Sequence, residues 1–349
     1  MTRQLVIGSD IINDESLCYV IAEIGHNHQG DVGKAKEMFL AAKECGAKAV
    51  KLQKRDNREL FTKELYNKPY DNENSFGATY GEHREFLEFG RDKYKELQQY
   101  ANDIGITFFA TAFDVSSADF LADLDMPAFK IASGDLTNIP LLKHVARFQK
   151  PVIVSTGGAT MDDVQRAYDA MMPINPNLCL MQCTAGYPPA YEELNLRVIT
   201  TFRERFPDIV IGFSGHDSGI AMSLAAFMLG ARVVEKHFTL NRAMKGTDHA
   251  FSLERPGLQK MIRDLARART AMGDGVKKQY PSEAAPLTKM GKQLVAAKDL
   301  PKGHRIIKTD IAVKSPGGNI PPYELDNMMG KVLLADIAED APFRWDVLQ

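Results

Sequence analysis

The 349-residue sequence predicts an α/β chain: a (β/α)8 barrel, or TIM barrel, followed by a small C-terminal domain. Three observations predict it. Short β-rich apolar runs alternate with amphipathic helical stretches from Tyr19 to about Met272, the pattern of parallel βαβ units with right-handed crossovers. Eight such runs fit into about 250 residues, which is the count of a closed barrel. No GxGxxG follows the first run, which argues against the rival, a doubly wound open sheet.

The strand candidates, in order, are Tyr19–Glu23, Ala47–Leu52, Ile106–Thr111, Ala128–Ala132, Pro151–Ser155, Leu178–Cys183, Ile209–Phe213 and Arg232–Lys236. Between and after them the 3.6-residue period predicts helices, among them Gly33–Cys45, Arg84–Ile104, Ser116–Leu124, Met161–Met172, Leu196–Phe206, Ser218–Leu229 and Glu254–Met272. Residues 1–272 therefore make the barrel. Residues 273–290 break the pattern with Gly, Pro and charge and read as a linker. Residues 291–349 are too short for a second large core. Their turn signals (LPKGH, SPGG, IPP) predict a compact domain with little regular structure.

Composition excludes several classes of function. The chain carries 43 basic and 45 acidic residues, so it lacks the basic surplus of a nucleic-acid or membrane-surface protein. No apolar run approaches the roughly 20 residues that span a bilayer, and the N-terminus turns polar within ten residues, unlike a signal peptide. Cys18, Cys45, Cys179 and Cys183 are scattered and form no CxxC. They read as those of a reduced, cytoplasmic protein, with Cys179 and Cys183 as strand packing residues rather than a zinc pair.

A barrel carries its site at the C-terminal ends of its strands, and all eight ends here are polar. Lys51 and Lys130 lie inside apolar strands, where an unpaired ammonium costs several kcal/mol. With the hydroxyls of Ser133, Ser155 and Ser214 they can cradle a phosphate or carboxylate, and the Ser155-Thr-Gly-Gly run reads as opening a helix whose N–H groups favour phosphate. Alternatively, the lysines pair with Glu23 and Glu235. His216 and His237 end adjacent strands beside Glu235 and suit a divalent metal; His26 and His28 compete for that role. His249 reads as a loop or substrate group. Glu23 and Asp248 can orient hydroxyls or move protons, and Tyr187 and Phe113 can stack on a sugar.

At these residues the sequence resembles the sialic acid synthase family. IAEIGHNHQGD, KLQK, FKIASGD, VSTGG, QCTAGYP, IGFSGHDSGI and EKHF occur in family order, and the C-terminal stretch is similar to the family's antifreeze-like (SAF) domain. The resemblance implies an enzyme that condenses phosphoenolpyruvate with an aldose, as a homodimer in which each small domain caps the partner's barrel. It implies that Lys51, Thr111, Lys130, Ser133, Ser155 and Ser214 hold phosphoenolpyruvate. It further implies that His216 and His237 bind Mn2+ or Mg2+, and that Glu23, Asp135, Tyr187 and Asp248 surround the sugar. Glu23 and Glu235 are the candidates for positioning the reacting water.

The sequence departs from the family's free-sugar synthases, which have an Arg-Pro-Gly motif where this chain has Ser315, a Phe where it has Gly291, and an Asn where it has Ala185. KPYDNENSFGATYGEHREFLEF, NPNLCLMQC and KGTDHAFSLE are instead similar to the animal-type 9-phosphate synthases, whose acceptor is a 6-phosphorylated hexose. For the second phosphate Lys245, Lys292 and the loop Thr79–His83, with Thr79 and Tyr80 at its head, are the candidates. Free N-acetylmannosamine, mannose 6-phosphate and diacetamido sugars remain alternative acceptors. The rival functions are a synthase of seven- or eight-carbon keto acids, a class I aldolase with Lys130 as Schiff-base lysine, and a carbohydrate- or ice-binding protein.

Overall fold

A computed structural model of the protein describes residues 3–349. The chain divides into two compact units, 1–273 and 274–349. Among the described residues no helix is long and apolar enough to cross a membrane.

The first unit is a closed barrel. Its strands are β3 (Tyr19–Gly25), β4 (Ala49–Lys54), β5 (Thr107–Ala112), β6 (Phe129–Ile131), β7 (Val152–Ser155), β8 (Leu178–Cys183), β9 (Val210–Gly215) and β10 (Val233–His237). Each pairs in parallel with the next, and β10 pairs with β3 to close the ring. All eight predicted strands are present within a few residues of the ends expected. A helix absent from the stretches named above, Ile139–Ala146, fills the crossover between β6 and β7. Asn138 caps it and Pro140 sits in its first turn.

The period of two sorts every strand into two cores. Outward residues such as Val20, Val50, Phe108, Val154 and Ile211 pack under the helices. Inward residues Tyr19, Ile21, Ala49, Phe109, Ile153, Met181, Val210 and Val233 fill the lower barrel. An N-terminal hairpin, β1 (Gln4–Ile7) against β2 (Asp10–Asn13), adds Leu5, Ile7 and Ile12 to that inner cluster and so plugs the bottom.

Two expectations fail. The single helix over 84–104 is two, Tyr80–Leu87 and Arg91–Ile104. Glu88 leaves the helix because its carboxylate takes Lys54 Nζ (3.1 Å) and the Arg55 N–H (3.2 Å), while Phe89 is buried against the His28 ring at 4.2 Å. Thr79 and Glu82 form a capping box that starts the first helix. Ser155-Thr-Gly-Gly does not open a helix either. The helix after β7 is Met161–Met171, whose N-terminus is capped by Thr160 and carries Asp162 and the Asp163 carboxylate, negative charges that oppose a phosphate there.

The second unit pairs β11 (Gln293–Ala296) antiparallel with β12 (Ile311–Lys314). Leu294, Leu300, Ile306, Ile320, Leu333 and Phe343 form its core. Asp310, with no exposed surface, ties three segments together: its carboxylate accepts from His304 Nε2 (2.8 Å) and the Ile307 N–H (3.0 Å), and pairs with Lys298 Nζ (3.0 Å). The stretch 273–290, read as a linker, ends in a helix, Ala284–Met290. The single tryptophan of the chain, Trp345, also lies in this unit.

Candidate active site

One cavity of about 550 Å3 lies at the C-terminal ends of the barrel strands. The same alternation that fills the lower barrel with apolar side chains carries it upward in steps of two: Ile21 gives way to Glu23, Ala49 to Lys51 and Gln53, Phe109 to Thr111, Val233 to Glu235 and His237. A slightly larger hollow, about 660 Å3, opens at the N-terminal ends of β4 to β6, but no imidazole or buried lysine lines it.

The two lysines are buried at the cavity floor. Lys51 Nζ donates to Thr111 Oγ1 at 2.6 Å and pairs with Glu23 Oε2 at 2.6 Å. Lys130 Nζ donates to Ser155 Oγ at 2.7 Å and to the Ile131 carbonyl at 3.2 Å. Both stand 3.8 Å from Glu235 Oε1. The pairing with glutamates that the sequence left as an alternative is therefore present, in the same cavity as the hydroxyls of the cradle. Ser133 Oγ accepts the Gly157 N–H at 2.9 Å; a β-carbon at Gly157 would stand 2.9 Å from that oxygen, so the close approach requires glycine.

Environment drives the two glutamates apart. Burial pushes the Glu23 carboxyl up to about 7, opposed by Lys51 and reinforced by Glu235. Burial also opposes ionisation of Glu235, but the charges of Lys130 and Lys51 outweigh it and hold its pKa below the usual value. Paired carboxyls separated in this way can divide the work, one exchanging protons and the other remaining charged.

His216 and His237 approach with ring centroids 5.4 Å apart. Burial, then the neighbouring imidazole, lowers His216 to about 4, and burial lowers His237, so both rings favour the neutral form that ligates metals. His216 Nδ1 faces the Thr184 carbonyl at 3.0 Å, which assigns its proton there and leaves the Nε2 lone pair free. His237 Nδ1 is buried without a hydrogen bond, 3.7 Å from Asp248 Oδ2. Two neutral imidazoles fit a borderline divalent cation. Among the described residues no group of three or more His, Cys, Asp or Glu converges on one point, so such a cation would draw its other ligands from water or substrate. The Tyr187 ring lies 4.2 Å from the His216 ring, and Phe113 lines the cavity on the side of β4 and β5.

The chain matches the NeuB family over residues 38–277 and the SAF domain over residues 292–349. It is 44% identical over 325 residues to the N-acetylneuraminate-9-phosphate synthase of Mus musculus, covering 93% of this chain and 90% of that protein. The chain belongs to the NeuB family. The N,N'-diacetyllegionaminic acid synthase of Legionella pneumophila is 34% identical, over 95% of each chain. The crystal structure of the N-acetylneuraminic acid synthetase of Leptospira borgpetersenii in complex with citrate superposes with a TM-score of 0.72 at 30% identity, covering 82% of this chain and 95% of that one. This NeuB-family chain is accordingly an enzyme, a synthase of the sialic-acid type.

Thirteen of the residues singled out from the sequence line the NeuB-family cavity: Glu23, Lys51, Thr111, Phe113, Lys130, Ser133, Ser155, Tyr187, Ser214, His216, Glu235, His237 and Asp248. Five do not. Asp135 turns to Asn138 Nδ2 at 3.1 Å. Thr79 caps its helix, and the Tyr80 hydroxyl accepts from Arg84 at 2.9 Å. Lys245 lines a separate hollow, its ammonium 4.9 Å from the Phe76 ring centroid. Lys292 is in the second unit and donates to Ser315 Oγ.

His26 and His28, the competing metal candidates, are engaged elsewhere. His28 Nδ1 accepts the Gly30 N–H at 3.0 Å, and His26 lies between Arg55 and Arg84. Gln53, Arg55, Arg84, Cys183 and Thr247 line the cavity without having been assigned a role in it. For Gln53 and Arg55 a signal was available, since they continue the inward series that begins at Lys51. Arg84 lies in the segment similar to the 9-phosphate synthases, one residue past the candidate loop Thr79–His83, but no strand register pointed to it, and tertiary packing brings its helix to the cavity.

Proposed function

We propose that this enzyme condenses phosphoenolpyruvate with the open-chain form of N-acetylmannosamine 6-phosphate, giving a nine-carbon keto acid 9-phosphate and inorganic phosphate. One observation carries the reading: a single cavity combines a buried lysine and hydroxyl cradle with a pair of neutral imidazoles. The choice of a phosphorylated acceptor is supported by the higher identity to a 9-phosphate synthase than to the diacetyllegionaminate synthase.

In this mechanism Lys51, Thr111, Lys130, Ser133, Ser155 and Ser214 bind phosphoenolpyruvate, while Asp248, Tyr187 and Phe113 contact the sugar. A divalent cation, Mn2+ or Mg2+, held by His216 and His237 would supply Lewis acidity at the aldehyde oxygen. C3 of phosphoenolpyruvate attacks the aldehyde carbon, and the carbonyl electron pair moves to oxygen, which takes a proton. Positive charge then develops at C2, where the ionised Glu235 stabilises it. Water adds to C2 and gives its proton to Glu23, whose raised pKa suits it to accept a proton and release it near neutrality. The tetrahedral adduct expels phosphate by C–O cleavage, and Lys51 and Lys130 stabilise the leaving anion. A homodimer and a cytoplasmic location complete the proposal; light scattering at twice the chain mass checks the first.

The test is phosphate release from phosphoenolpyruvate with Mn2+, comparing N-acetylmannosamine with its 6-phosphate, each with and without a chelator. Chelator-sensitive release with the 6-phosphate at a much higher kcat/KM is the expected result. Release with the free sugar alone, or equal rates with both, would sink the phosphorylated reading. Release indifferent to chelation would remove the metal from it.

A further inference from the structure

At the rim of the same cavity two guanidinium groups stand together without a matching anion. Arg55, 7% exposed, lies just past the end of β4; Arg84 comes from the helix Tyr80–Leu87. The His26 ring bridges them, with Nε2 3.2 Å from Arg55 Nη1 and Nδ1 3.2 Å from Arg84 Nη1. A neutral imidazole has one lone pair, so it can accept from one arginine but not from both. The other partners of Arg84 are contacts with the Tyr80 hydroxyl at 2.9 and 3.1 Å, also neutral.

Among the described residues no carboxylate lies within 4 Å of Arg84. For Arg55 the one within that distance is Glu88, at 3.9 Å, and Glu88 is already held by Lys54 at 3.1 Å. Asp248 shares the cavity but is more than 4 Å from either guanidinium; its close partner is His237. Burial, then the adjacent Arg84 charge, lowers the Arg55 pKa to about 10. Yet Arg55 is held rigidly: its guanidinium stacks on the Phe113 ring at 3.7 Å and donates to Gln53 Oε1 at 2.6 Å. Two like charges fixed side by side in a cavity wall, with local cations outnumbering anions, make a preorganised receptor for a dianion.

Position identifies which dianion. Lys51 and Gln53 follow one another up the inner face of β4 and Arg55 continues the series just past its end, so that at ~3.3 Å per residue the backbone of Arg55 stands up to roughly 13 Å above that of Lys51. An acceptor whose aldehyde end meets the imidazoles and the cradle therefore directs its far end to the arginines. We propose that Arg55 and Arg84 are the dock for the phosphate monoester of the acceptor sugar. The dock rests on the phosphorylated-acceptor reading and replaces Lys245, which lines a separate hollow, as the phosphate ligand of the barrel unit.

The experiment measures kcat/KM with N-acetylmannosamine and with its 6-phosphate, in Mn2+, for the unchanged full-length enzyme and for Arg84→Gln, Arg84→Lys and Arg55→Lys. Arg84 is half-buried, so its variants keep the test usable even if Arg55→Lys folds poorly. The preference for the phosphorylated acceptor falls at least about tenfold in Arg84→Gln, the loss expected for one charge-assisted contact. The loss comes through KM for the phosphorylated acceptor, with KM for phosphoenolpyruvate held within roughly twofold. Arg84→Lys recovers part of it, and Arg55→Lys shows a comparable loss. An unchanged preference in Arg84→Gln overturns the dock while the 9-phosphate reading stands. Parallel loss for phosphoenolpyruvate and both acceptors overturns it by showing a structural role. An unchanged enzyme that does not prefer the 6-phosphate refutes the reading itself, and the dock with it.

Discussion

Lys51 and Lys130 are 2% and 3% exposed, a burial that costs an ammonium several kcal/mol unless it is paired and hydrogen-bonded. Both are satisfied by groups that an incoming anion can share: Glu23 with Thr111 for one, Glu235 with Ser155 for the other. The cradle thus stands assembled before substrate arrives. Lys130→Gln removes one charge from it, and KM for phosphoenolpyruvate should rise by about 10- to 100-fold, the equivalent of losing a hydrogen bond to a charged group; initial rates at varied phosphoenolpyruvate measure this. Most of the thirteen residues that line the cavity could be placed from the sequence because a strand-end position fixes both depth and facing; Tyr187 and Asp248, in the loops beyond β8 and β10, had no such register to place them. Lys245, which lines a separate hollow, was assigned by charge alone, which carries no depth. Arg84, one residue past the candidate loop Thr79–His83, was not assigned because it reaches the cavity from a helix whose N-terminal signal, the Thr79–Glu82 capping box, says nothing of where the helix packs.

At the scale of elements, the eight strands were legible because β-branched and aromatic runs bounded by breakers have few alternatives. The break at residues 88–90 was not, because it depends on Glu88 finding Lys54 and Arg55 across the fold. The N-terminal hairpin escaped notice because its apolar residues are few and its strands four residues long, yet Leu5, Ile7 and Ile12 are buried in the lower barrel. Ile12→Ala should lower the unfolding free energy by about 2–5 kcal/mol, read by denaturant titration followed by far-UV circular dichroism. The activity of the folded fraction should persist, since the hairpin lies at the end opposite the lysines and imidazoles.

At the scale of the molecule, the two units carry separable signals. Burial opposes the Asp310 charge, but the His304 hydrogen bond, the Ile307 N–H and Lys298 outweigh it and hold its pKa at about 2, below an unfolded value of roughly 3.9. A depressed carboxylate contributes stability that is complete above the unfolded pKa and lost as pH falls through the folded one. The second unit should therefore loosen between about pH 4 and pH 2 in the unchanged chain, while Asp310→Asn starts less stable and loses less over that window. Trp345 emission follows this unit alone, because it is the chain's single tryptophan.

The hairpin plug also has a kinetic meaning. A barrel sealed at one end is a blind well, and whatever binds at its floor must enter before, and leave after, whatever binds at its rim. On the proposed reaction, phosphoenolpyruvate at Lys51 and Lys130 would then be the compulsory first substrate, and inorganic phosphate, released at the same depth, the last product to depart. Steady-state patterns should show phosphate competing directly with phosphoenolpyruvate but not with the sugar, so turnover is sequential in a fixed order set by the depth of one well.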